Sequence, residues 1–381
     1  MRLLHVTPHL PPDQAANALL PAHLGEWAAA RGDSVHYLAQ PSRSGESPSR
    51  PDVTWIPRTE QTFFHRTFRV GSIRAAWTLR VEAMPLIRSA DLVHVHSNGI
   101  LAEVCAAFAA QLRKPTVLTL YGTEIWHYRR KRWRPDLFTR AYRSATAVTF
   151  YSQGLLDRAR ELGLERPAMH VIYPPVAASF RRHDAEAQRR ERATLGITAR
   201  HLLVNVKRLH PLAGQRFLIE AMPAVLREFP DTQLVICGTG ALGSDLQSVA
   251  RSAGVERHVT FAGLVDNAVV ARYCAAADLF VLPSLLEALP TVAVEALASG
   301  TPVVSSDNPG GVELHGVFGE DVGVVPREDP AALAAAITAR LRSTARASAA
   351  TAAIIEQRFR AEAVARQYWD VYDDVLRSPR T

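Results

Sequence analysis

Short runs of β-branched and apolar residues alternate with longer amphipathic stretches along nearly the whole chain, and this alternation limits the folds that it can adopt. The first run, Leu3–Thr7, is followed by a proline-rich turn and a helical stretch from about Ala15 to Ala30. Alternation of this kind is typical of a parallel, doubly wound sheet, because each helix returns the chain to the start of the next strand. Further strands are predicted at 35–39, 92–96, 115–121, 147–151 and 170–173.

A second series of strands and helices begins at Leu202–Val206 and continues through Val325, with strands predicted at 232–237, 259–262, 279–282 and 302–305. Between the two series, the prolines of Tyr173–Val176 cannot continue a central strand, and the arginine-rich stretch Arg181–Arg192 indicates a connector with a charged helix. A chain of 381 residues also exceeds one ordinary core. We therefore expect two Rossmann-like α/β domains facing a cleft, residues 1–178 and 199–347, joined by a linker at 179–198.

The C-terminal segment, residues 348–381, has a helical pattern of its own. Alanine, glutamate and arginine surround apolar residues spaced for one face of a helix from about Ala349 to Leu376. We expect one long amphipathic helix that crosses back and packs on the N-terminal domain.

The composition is that of a soluble globular protein, with 48% apolar and 21% charged residues. No apolar run approaches the roughly 20 residues that cross a bilayer, and the N-terminus lacks a signal-peptide core. The sequence therefore predicts a cytoplasmic location. Cys105, Cys237 and Cys274 lack metal-ligand spacing and are interpreted as buried thiols.

Positive charge is concentrated in the first half of the chain. Residues 1–180 contain 22 lysines and arginines against 14 aspartates and glutamates, whereas the rest contains 22 against 23. A basic half favours an anionic partner, either a phosphate-bearing acceptor or the inner face of an anionic membrane. The basic residues cluster around a tryptophan, and either peripheral membrane contact or a solvated loop is compatible with them: Arg129, Arg130, Lys131, Arg132, Trp133 and Arg134. Nucleic acid is not expected, because no known binding module is present.

Two glutamates, Glu287 and Glu295, are separated by seven residues in a strand–loop–helix segment. Glu287 follows a strand, and Glu295 lies among the valines and alanines of the next helix, where unpaired carboxylates are rare. Such carboxylates can accept hydrogen bonds from sugar and ribose hydroxyls. The helix that begins near Pro290 directs free N–H groups and a positive dipole end to the same place, which suits a diphosphate. The alternative is that both glutamates only cap the helix and form ion pairs.

The segment resembles the E-x7-E signature of the family 4 retaining glycosyltransferases, also called group 1 glycosyl transferases, and the resemblance covers nearly the whole chain. It implies a GT-B fold in which Glu287 binds the donor sugar and Glu295 the ribose. It also implies that Arg208, in Val206-Lys207-Arg208-Leu209, binds the diphosphate with help from Lys207. Other implied donor-binding residues are Gly238, Gly240, Val265, Ala288, Leu289, Pro290 and Thr291. The loop Pro309–Glu313 resembles one that closes the pocket.

Three positions depart from the family pattern. Ala213 stands where the family commonly has a lysine before Gly214, so one phosphate cation is missing or relocated. Tyr121 replaces a histidine at a strand end of the N-terminal domain, and a tyrosine donates a hydrogen bond but does not readily accept a proton. Ala15-Ala16-Asn17 replaces paired glycines in the first loop, where close backbone approach to phosphate is then in doubt. The acceptor-side candidates are Asn17, Tyr121 and His96.

Two weaker patterns are interpreted as structural. Gly238, Gly240 and Gly243 satisfy G-x-G-x-x-G, but the acidic residue expected after the next strand of a dinucleotide-binding site is absent, which argues against a dehydrogenase. His94 and His96 alternate along a strand, and one is expected to face the cleft. They lack a third ligand with suitable spacing, so no metal site is predicted.

These observations predict a metal-independent enzyme without a cofactor that transfers a sugar from a UDP or GDP sugar, with retention, to a glycan, a lipid-linked sugar or a small molecule. The donor would bind the C-terminal domain and the acceptor the basic N-terminal domain, and closure would exclude water. Two alternatives remain: a catalytically degenerate GT-B protein that binds a sugar nucleotide or a partner, and a sugar-nucleotide epimerase, whose usual catalytic acids are not evident.

Overall fold

A computed structural model describes residues 1–13, 16–42, 49–58, 70–97, 99–126, 128–129 and 136–377, and divides the chain into two compact units. The first unit contains Met1–Pro175 together with Ala361–Thr381, and the second contains Val176–Arg360. Several residues to which the sequence analysis assigned roles lie outside the described ones: Ala15, Arg130, Lys131, Arg132, Trp133 and Arg134.

The first unit is built on a parallel sheet. Its strands are β1 (Arg2–Thr7), β2 (Ser34–Ala39), β3 (Val53–Trp55), β4 (Leu92–His96), β5 (Thr116–Leu120), β6 (Ala147–Phe150) and β7 (Met169–Val171). Among the described residues these seven strands pair in the order β3-β2-β1-β4-β5-β6-β7. The central strands β4, β5 and β6 are buried on both faces, so that their polar residues, among them His94, His96 and Thr119, are buried together with the apolar ones. The three residues of β3 form too short a run to be predicted from the sequence.

Helices connect these strands and cover the sheet. They are α1 (Ala16–Ala30), α2 (Val70–Ser89), α3 (Ile100–Gln111), α4 (Thr123–Trp126), α5 (Leu137–Ser144) and α6 (Gln153–Glu161). The N-caps are those that the sequence offers, since the Asp136 and Ser152 side chains accept from the N–H groups of Thr139 and Leu155. The doubly wound α/β architecture predicted for this half is confirmed.

The second unit repeats the architecture. Its strands are β8 (His201–Val206), β9 (Thr232–Cys237), β10 (Val259–Gly263), β11 (Leu279–Leu282), β12 (Val303–Ser306) and β13 (Val322–Val325). In the described part of the chain these six strands follow the order β10-β9-β8-β11-β12-β13, all parallel. Its helices are α7 (Ala185–Thr194), α8 (Gln215–Glu228), α9 (Gly243–Ser252), α10 (Asn267–Ala276), α11 (Thr291–Ala298), α12 (Pro309–Phe318), α13 (Pro330–Ser343) and α14 (Ala349–Arg358).

The segment expected to be a linker, 179–198, forms part of the second unit. Its helix α7 begins at Asp184, whose carboxylate accepts from the Ala187 N–H at 2.7 Å. Arg192 Nε then donates to the Ala276 carbonyl oxygen at 2.9 Å, at the end of α10. Arg192, one of the arginines that suggested a connector, therefore anchors α7 to the body of the unit.

The C-terminal segment forms two helices instead of the expected single one. The first, α14, ends at Arg358, because Phe359 turns inward, is fully buried and packs on Phe318 with ring centroids 5.4 Å apart. Both rings belong to the second unit. The second helix, Ala361–Arg377, called the C-terminal helix below, belongs to the first unit and buries Tyr368 and Tyr372 there.

In the ranges that the structure describes, no helix combines the length and the apolar character needed to span a bilayer.

Candidate functional site

The predicted donor-binding residues of the second unit follow three neighbouring strands. Lys207 and Arg208 follow β8, the glycines 238 and 240 follow β9, and Glu287 follows β11. Since β9, β8 and β11 are adjacent and parallel, these side chains meet at the carboxyl edge of the sheet, where ligands bind in open α/β folds. The structure thus brings the candidate residues to one edge.

Three glycines allow backbone segments to approach closely at this edge. A Cβ on Gly238 would lie 2.1 Å from the Lys207 carbonyl oxygen, and one on Gly240 would lie 2.2 Å from that of Leu209. Gly214, at φ +67°, has the Pro283 carbonyl oxygen 2.0 Å from the position of its missing Cβ. In the turns after β8, β9 and β11, backbone atoms therefore pack directly against backbone atoms, with no side chain between them.

A cavity of about 290 Å³ opens beside these turns. Arg208 lines it with an exposed side chain, and no hydrogen bond or ion pair within the described part of the chain holds its guanidinium. The remaining lining combines strand ends with the segment after β10: Val206, Lys207, Cys237, Gly238, Thr239, Leu264, Val265 and Val270. The guanidinium of Arg208 beside a largely apolar cavity suits a ligand that carries both an anionic group and an apolar group.

Lys207 and Glu287 form an ion pair between their Nζ and Oε1 atoms. The side chains are 32% and 12% exposed, so both charges are partly withdrawn from water. The sequence did not indicate this pair. It places a cation and a carboxylate side by side next to Arg208.

Glu295 lies in α11 and is partly buried. Burial raises the pKa of its carboxyl from the ordinary 4.5 to about 7. No side-chain hydrogen bond or ion pair from the described residues compensates for this burial. An unpaired carboxylate of this kind is costly unless a ligand supplies donors.

The loop between the two glutamates leads into α11. Ala288, Leu289 and Pro290 precede the helix, Thr291 is its first residue, and no side chain caps it at Pro290. The loop is held from the other side, because the Gly310 N–H donates to the Glu287 carbonyl oxygen at 3.0 Å and a Cβ on Gly310 would lie 2.9 Å from Pro290 Cδ. The segment 309–313, expected to close the pocket, begins helix α12 against this loop.

Residues that the sequence analysis did not single out support these turns. Gln215 is 1% exposed and its Nε2 donates to the Arg208 carbonyl oxygen at 3.2 Å. Asn308 Nδ2 donates to the Ser284 carbonyl oxygen at 2.8 Å. Gln215 is the first residue of α8 and Asn308 caps α12, so an amide where a helix begins after a strand is the signal that could have identified them. Ala213 is buried in the turn Pro211–Ala213, so this position supplies no cation to the cavity.

In the first unit, Tyr121 follows β5 and is hydrogen-bonded to a buried histidine. Its hydroxyl lies 2.7 Å from His96 Nδ1, and His96 Nε2 lies 2.9 Å from His5 Nδ1. One of His94 and His96 was expected to face the cleft; both are fully buried. Burial lowers the pKa of His5 to about 3 and those of His94 and His96 well below the ordinary value, so the three rings are neutral.

The structure adds His5 as the third histidine that the sequence lacked for a metal site. Both ring nitrogens of His94 have protein partners, Tyr372 and Thr119, each hydroxyl oxygen 2.6 Å away. Those of His96 are likewise partnered by Tyr121 and His5, and His5 Nε2 is buried without a partner. Hydrogen bonding thus accounts for five of the six ring nitrogens, which fits a polar core layer better than a metal centre. That the chain uses no metal remains a prediction.

The other acceptor-side candidates lie at the carboxyl edge of the first sheet. Asn17 is in the first turn of α1, and its carbonyl oxygen accepts from Thr7 Oγ1 at 2.5 Å. Glu124, which the sequence analysis did not assign, is buried beside Tyr121. Its two oxygens accept from the Ser97 hydroxyl at 2.6 Å and the Gly122 N–H at 2.8 Å. Arg129, the described member of the basic cluster, is exposed.

Comparison with known proteins agrees with this architecture. The chain is 33% identical to a GDP-mannose-dependent alpha-(1-6)-phosphatidylinositol monomannoside mannosyltransferase of Mycolicibacterium smegmatis, over 54% of this chain and 55% of that protein, so it spans about half the length of this curated relative. Sucrose-phosphate synthase from Thermosynechococcus elongatus matches 98% of this chain and 99% of its own with a TM-score of 0.74 at 20% identity. HepE from Anabaena, solved with UDP-glucose, gives 0.71 at 21% identity over 98% and 100%.

The structural likeness identifies the fold as GT-B, in which each unit is a Rossmann-like domain. Two family models match the chain, one described as Glycosyltransferase Family 4 over residues 22–180 and the other as Glycosyl transferases group 1 over residues 200–343. Between them they match most of both units. The chain belongs to glycosyltransferase family 4, the group 1 glycosyl transferases.

Proposed function

We propose that the chain transfers a sugar from a nucleoside-diphosphate sugar to a hydroxyl acceptor with retention of anomeric configuration. The observation that carries the proposal is a cavity lined by Arg208, Lys207 and the turn at Gly238, with Glu287 held next to it by its ion pair with Lys207. At the carboxyl edge of the second sheet, the two cations match the negative charges of a diphosphate, and the carboxylate can accept hydrogen bonds from the hydroxyls of a sugar.

In this proposal Arg208 and Lys207 bind the diphosphate and stabilise the negative charge that develops when the bond between the sugar and the phosphate breaks. Glu287 accepts hydrogen bonds from the sugar hydroxyls and orients the ring. Glu295 accepts from the ribose hydroxyls, which would supply the donors that its buried carboxylate lacks. Gly238, Gly240, Val265 and the segment 288–291 line the remaining donor surface.

The proposal leaves the donor base open between uracil and guanine. The curated relative is named for GDP-mannose, and a structure of the same fold was solved with UDP-glucose, so the experiment below compares UDP and GDP. The acceptor is a glycan, a lipid-linked sugar or a small molecule, recognised by the first unit through Tyr121 and Asn17. His96, which is fully buried, acts through Tyr121.

The direct test is thermal unfolding of the wild type with UDP, GDP and their sugar conjugates, repeated with Arg208→Ala and Glu295→Ala. A ligand that binds only the folded state raises its stability by mass action. One nucleotide should raise Tm in the wild type and fail to do so in both variants. Anomeric analysis of the product by NMR then tests retention, and an inverted product would contradict that part of the proposal.

A second function, binding of a sugar nucleotide without turnover, is favoured by one observation, the buried Ala213 at a position where the family commonly has a lysine. Release of free nucleoside diphosphate in the presence of the stabilising donor distinguishes the two. A donor that binds but is neither hydrolysed nor transferred would support binding alone.

A further inference from the structure

Helix α2 presents apolar side chains to solvent. Trp77 is 68% exposed and Val81 is 51% exposed, one turn further along the helix. Pro85, also exposed, follows one turn later. Residues four apart lie on the same side of a helix, so these three form one continuous strip, called the Trp77 stripe below.

The Trp77 stripe lies on the side of α2 that points away from the sheet. From Trp77 onward, where the structure describes the side chains of α2, the helix buries Leu79, Ala83 and Ile87, each with 2% exposure or less. At about 100° per residue, Val81 and Trp77 lie roughly opposite the centre of that buried face. The solvent-facing side of a surface helix normally carries charged or polar residues. The apolar side chains on this side of α2 therefore require an explanation.

Basic residues accompany the stripe. Arg88 lies about two turns beyond Val81 on the same side of the helix. Arg80 precedes Val81 in the sequence, and both arginines are exposed. The sequence of α2 contains three arginines and one acidic residue, Glu82. Among the ion pairs that the described residues form, none uses Arg80 or Arg88. Glu82 is exposed as well, on the opposite side of Val81 from Arg80. Among residues 77–89 the exposed side of α2 therefore carries apolar side chains and two arginines against one glutamate, a small positive excess.

We propose that the Trp77 stripe, together with Arg80 and Arg88, docks on the surface of an anionic lipid bilayer. Tryptophan is favoured at the boundary between headgroups and acyl chains, because its ring is apolar and its N–H is polar. Arginines beside it are attracted to anionic headgroups, and their apolar stems can follow the ring into that layer.

A lipid surface fits this strip better than a protein partner. Stable protein interfaces bury about 800 Å² on each side, more than three side chains of one helix provide. A headgroup layer demands no matching shape, and a basic helix with a narrow apolar face is the element that lies on it. This surface is distinct from the basic cluster at 129–134 and independent of the proposed sugar transfer.

The experiment uses the full chain and vesicles of phosphatidylcholine with or without phosphatidylglycerol, and measures co-sedimentation. We expect binding to the anionic vesicles, weakened by salt. Trp77→Ser with Val81→Ser, and separately Arg80→Glu with Arg88→Glu, should each lower the affinity about tenfold or more. Arg227→Glu with Arg257→Glu is the control, because it makes the same charge change at two exposed arginines of the second unit.

Thermal unfolding confirms that each variant is folded before its binding is compared. Equal binding of wild type and both α2 variants, no binding at all, or equal loss in the control would each overturn the proposal. Fluorescence gives a second readout, because the chain contains six tryptophans and the difference between wild type and Trp77→Ser isolates Trp77. Its emission should move to shorter wavelength with anionic vesicles. Emission already typical of a buried ring without vesicles would mean that another part of the chain covers it, and would overturn the proposal.

Discussion

The ammonium of Lys207 forms an ion pair with the carboxylate of Glu287, joining the ends of the neighbouring strands β8 and β11. A diphosphate that binds Lys207 must compete with Glu287 for the ammonium, and a sugar hydroxyl that binds Glu287 must compete with Lys207. The pair therefore couples the two halves of the proposed donor site, and its two members should respond differently to substitution.

We expect Glu287→Gln to keep or increase affinity for the free nucleoside diphosphate, because it releases the Lys207 ammonium, while sugar transfer falls at least about a hundredfold. Lys207→Ala should instead weaken binding of the nucleoside diphosphate about tenfold or more. Calorimetric titration and a transfer assay measure the two effects.

Arg216 and Glu220 provide the control for this pair, because they form a comparable contact of 2.7 Å on the exposed side of α8. Glu220→Gln and Arg216→Ala should change neither quantity. Parallel losses of nucleotide binding in Glu287→Gln and Lys207→Ala would show that the ion pair stabilises the site as a unit, against the competition argued above.

The raised pKa of Glu295 predicts a dependence of stability on pH. Its pKa is about 7 in the folded protein against the ordinary 4.5, so the folded state holds more protons than the unfolded state between these values. Stability contributed by this group therefore falls as pH rises from about 4.5 to 7. Glu295→Gln should gain stability over the wild type as pH increases from 5 to 8, by on the order of 2 kcal/mol.

Denaturation by urea at both pH values measures this difference. Glu256→Gln, at an exposed carboxylate, is the control that corrects for the general effect of removing a charge. A gap between Glu295→Gln and wild type that stays constant with pH would count against an ionisable, buried Glu295.

Three glycines allow the cost of a Cβ contact to be compared with the cost of a positive φ angle when glycine is replaced by alanine. Gly238 combines φ +139° with a Cβ position 2.1 Å from the Lys207 carbonyl oxygen, Gly240 has only the close contact, and Gly254 has φ +70° with nothing within 4 Å. Gly254→Ala should cost about 1 kcal/mol of stability. Gly240→Ala and Gly238→Ala should cost more and abolish stabilisation by nucleotide, since the backbone beside Lys207 and Leu209 must move.

Thermal unfolding with and without nucleoside diphosphate compares the three variants. If Gly254→Ala lost the nucleotide effect as fully as Gly238→Ala, the close packing of the turns would not be the cause.

The buried histidine His94 should make Tyr372 more important for stability than Tyr368. The Tyr372 hydroxyl is 2.6 Å from His94 Nδ1, whereas that of Tyr368 lies 3.5 and 3.4 Å from the hydroxyl oxygens of Thr119 and Thr149. Tyr372→Phe leaves a buried ring nitrogen unpaired, at a cost of about 1–3 kcal/mol. Tyr368→Phe should cost less, because its contacts are long. Equal shifts in Tm would contradict this.

The strands and their order in sequence were predictable because most strands are short local runs rich in β-branched and apolar residues. Contacts between distant residues were not. His5 meets His96 only because β1 pairs with β4, and Lys207 meets Glu287 only because β11 lies beside β8. No local pattern encodes which strands become neighbours, so the pairs that determine the chemistry of both units had to come from the structure.

The break at Phe359 shows a similar limit. The helical pattern continues across this position, but α14 ends there, where the Phe359 ring packs on Phe318 and the Phe359 carbonyl oxygen accepts from the Val176 N–H at 2.7 Å. The E-x7-E spacing, in contrast, is local, because Glu287 and Glu295 lie in one short segment that runs from the end of β11 into α11.

The first unit includes the C-terminal helix, so the ribosome makes the last part of this unit only after it has made the whole second unit. The sheet that contains His94 is made early, but Tyr372 belongs to the last helix, Ala361–Arg377. Protease resistance of the first unit in stalled and released chains tests whether this matters. We expect the first unit to become protease-resistant only after release of the chain. In that case the first unit cannot finish folding before the second unit has been synthesised.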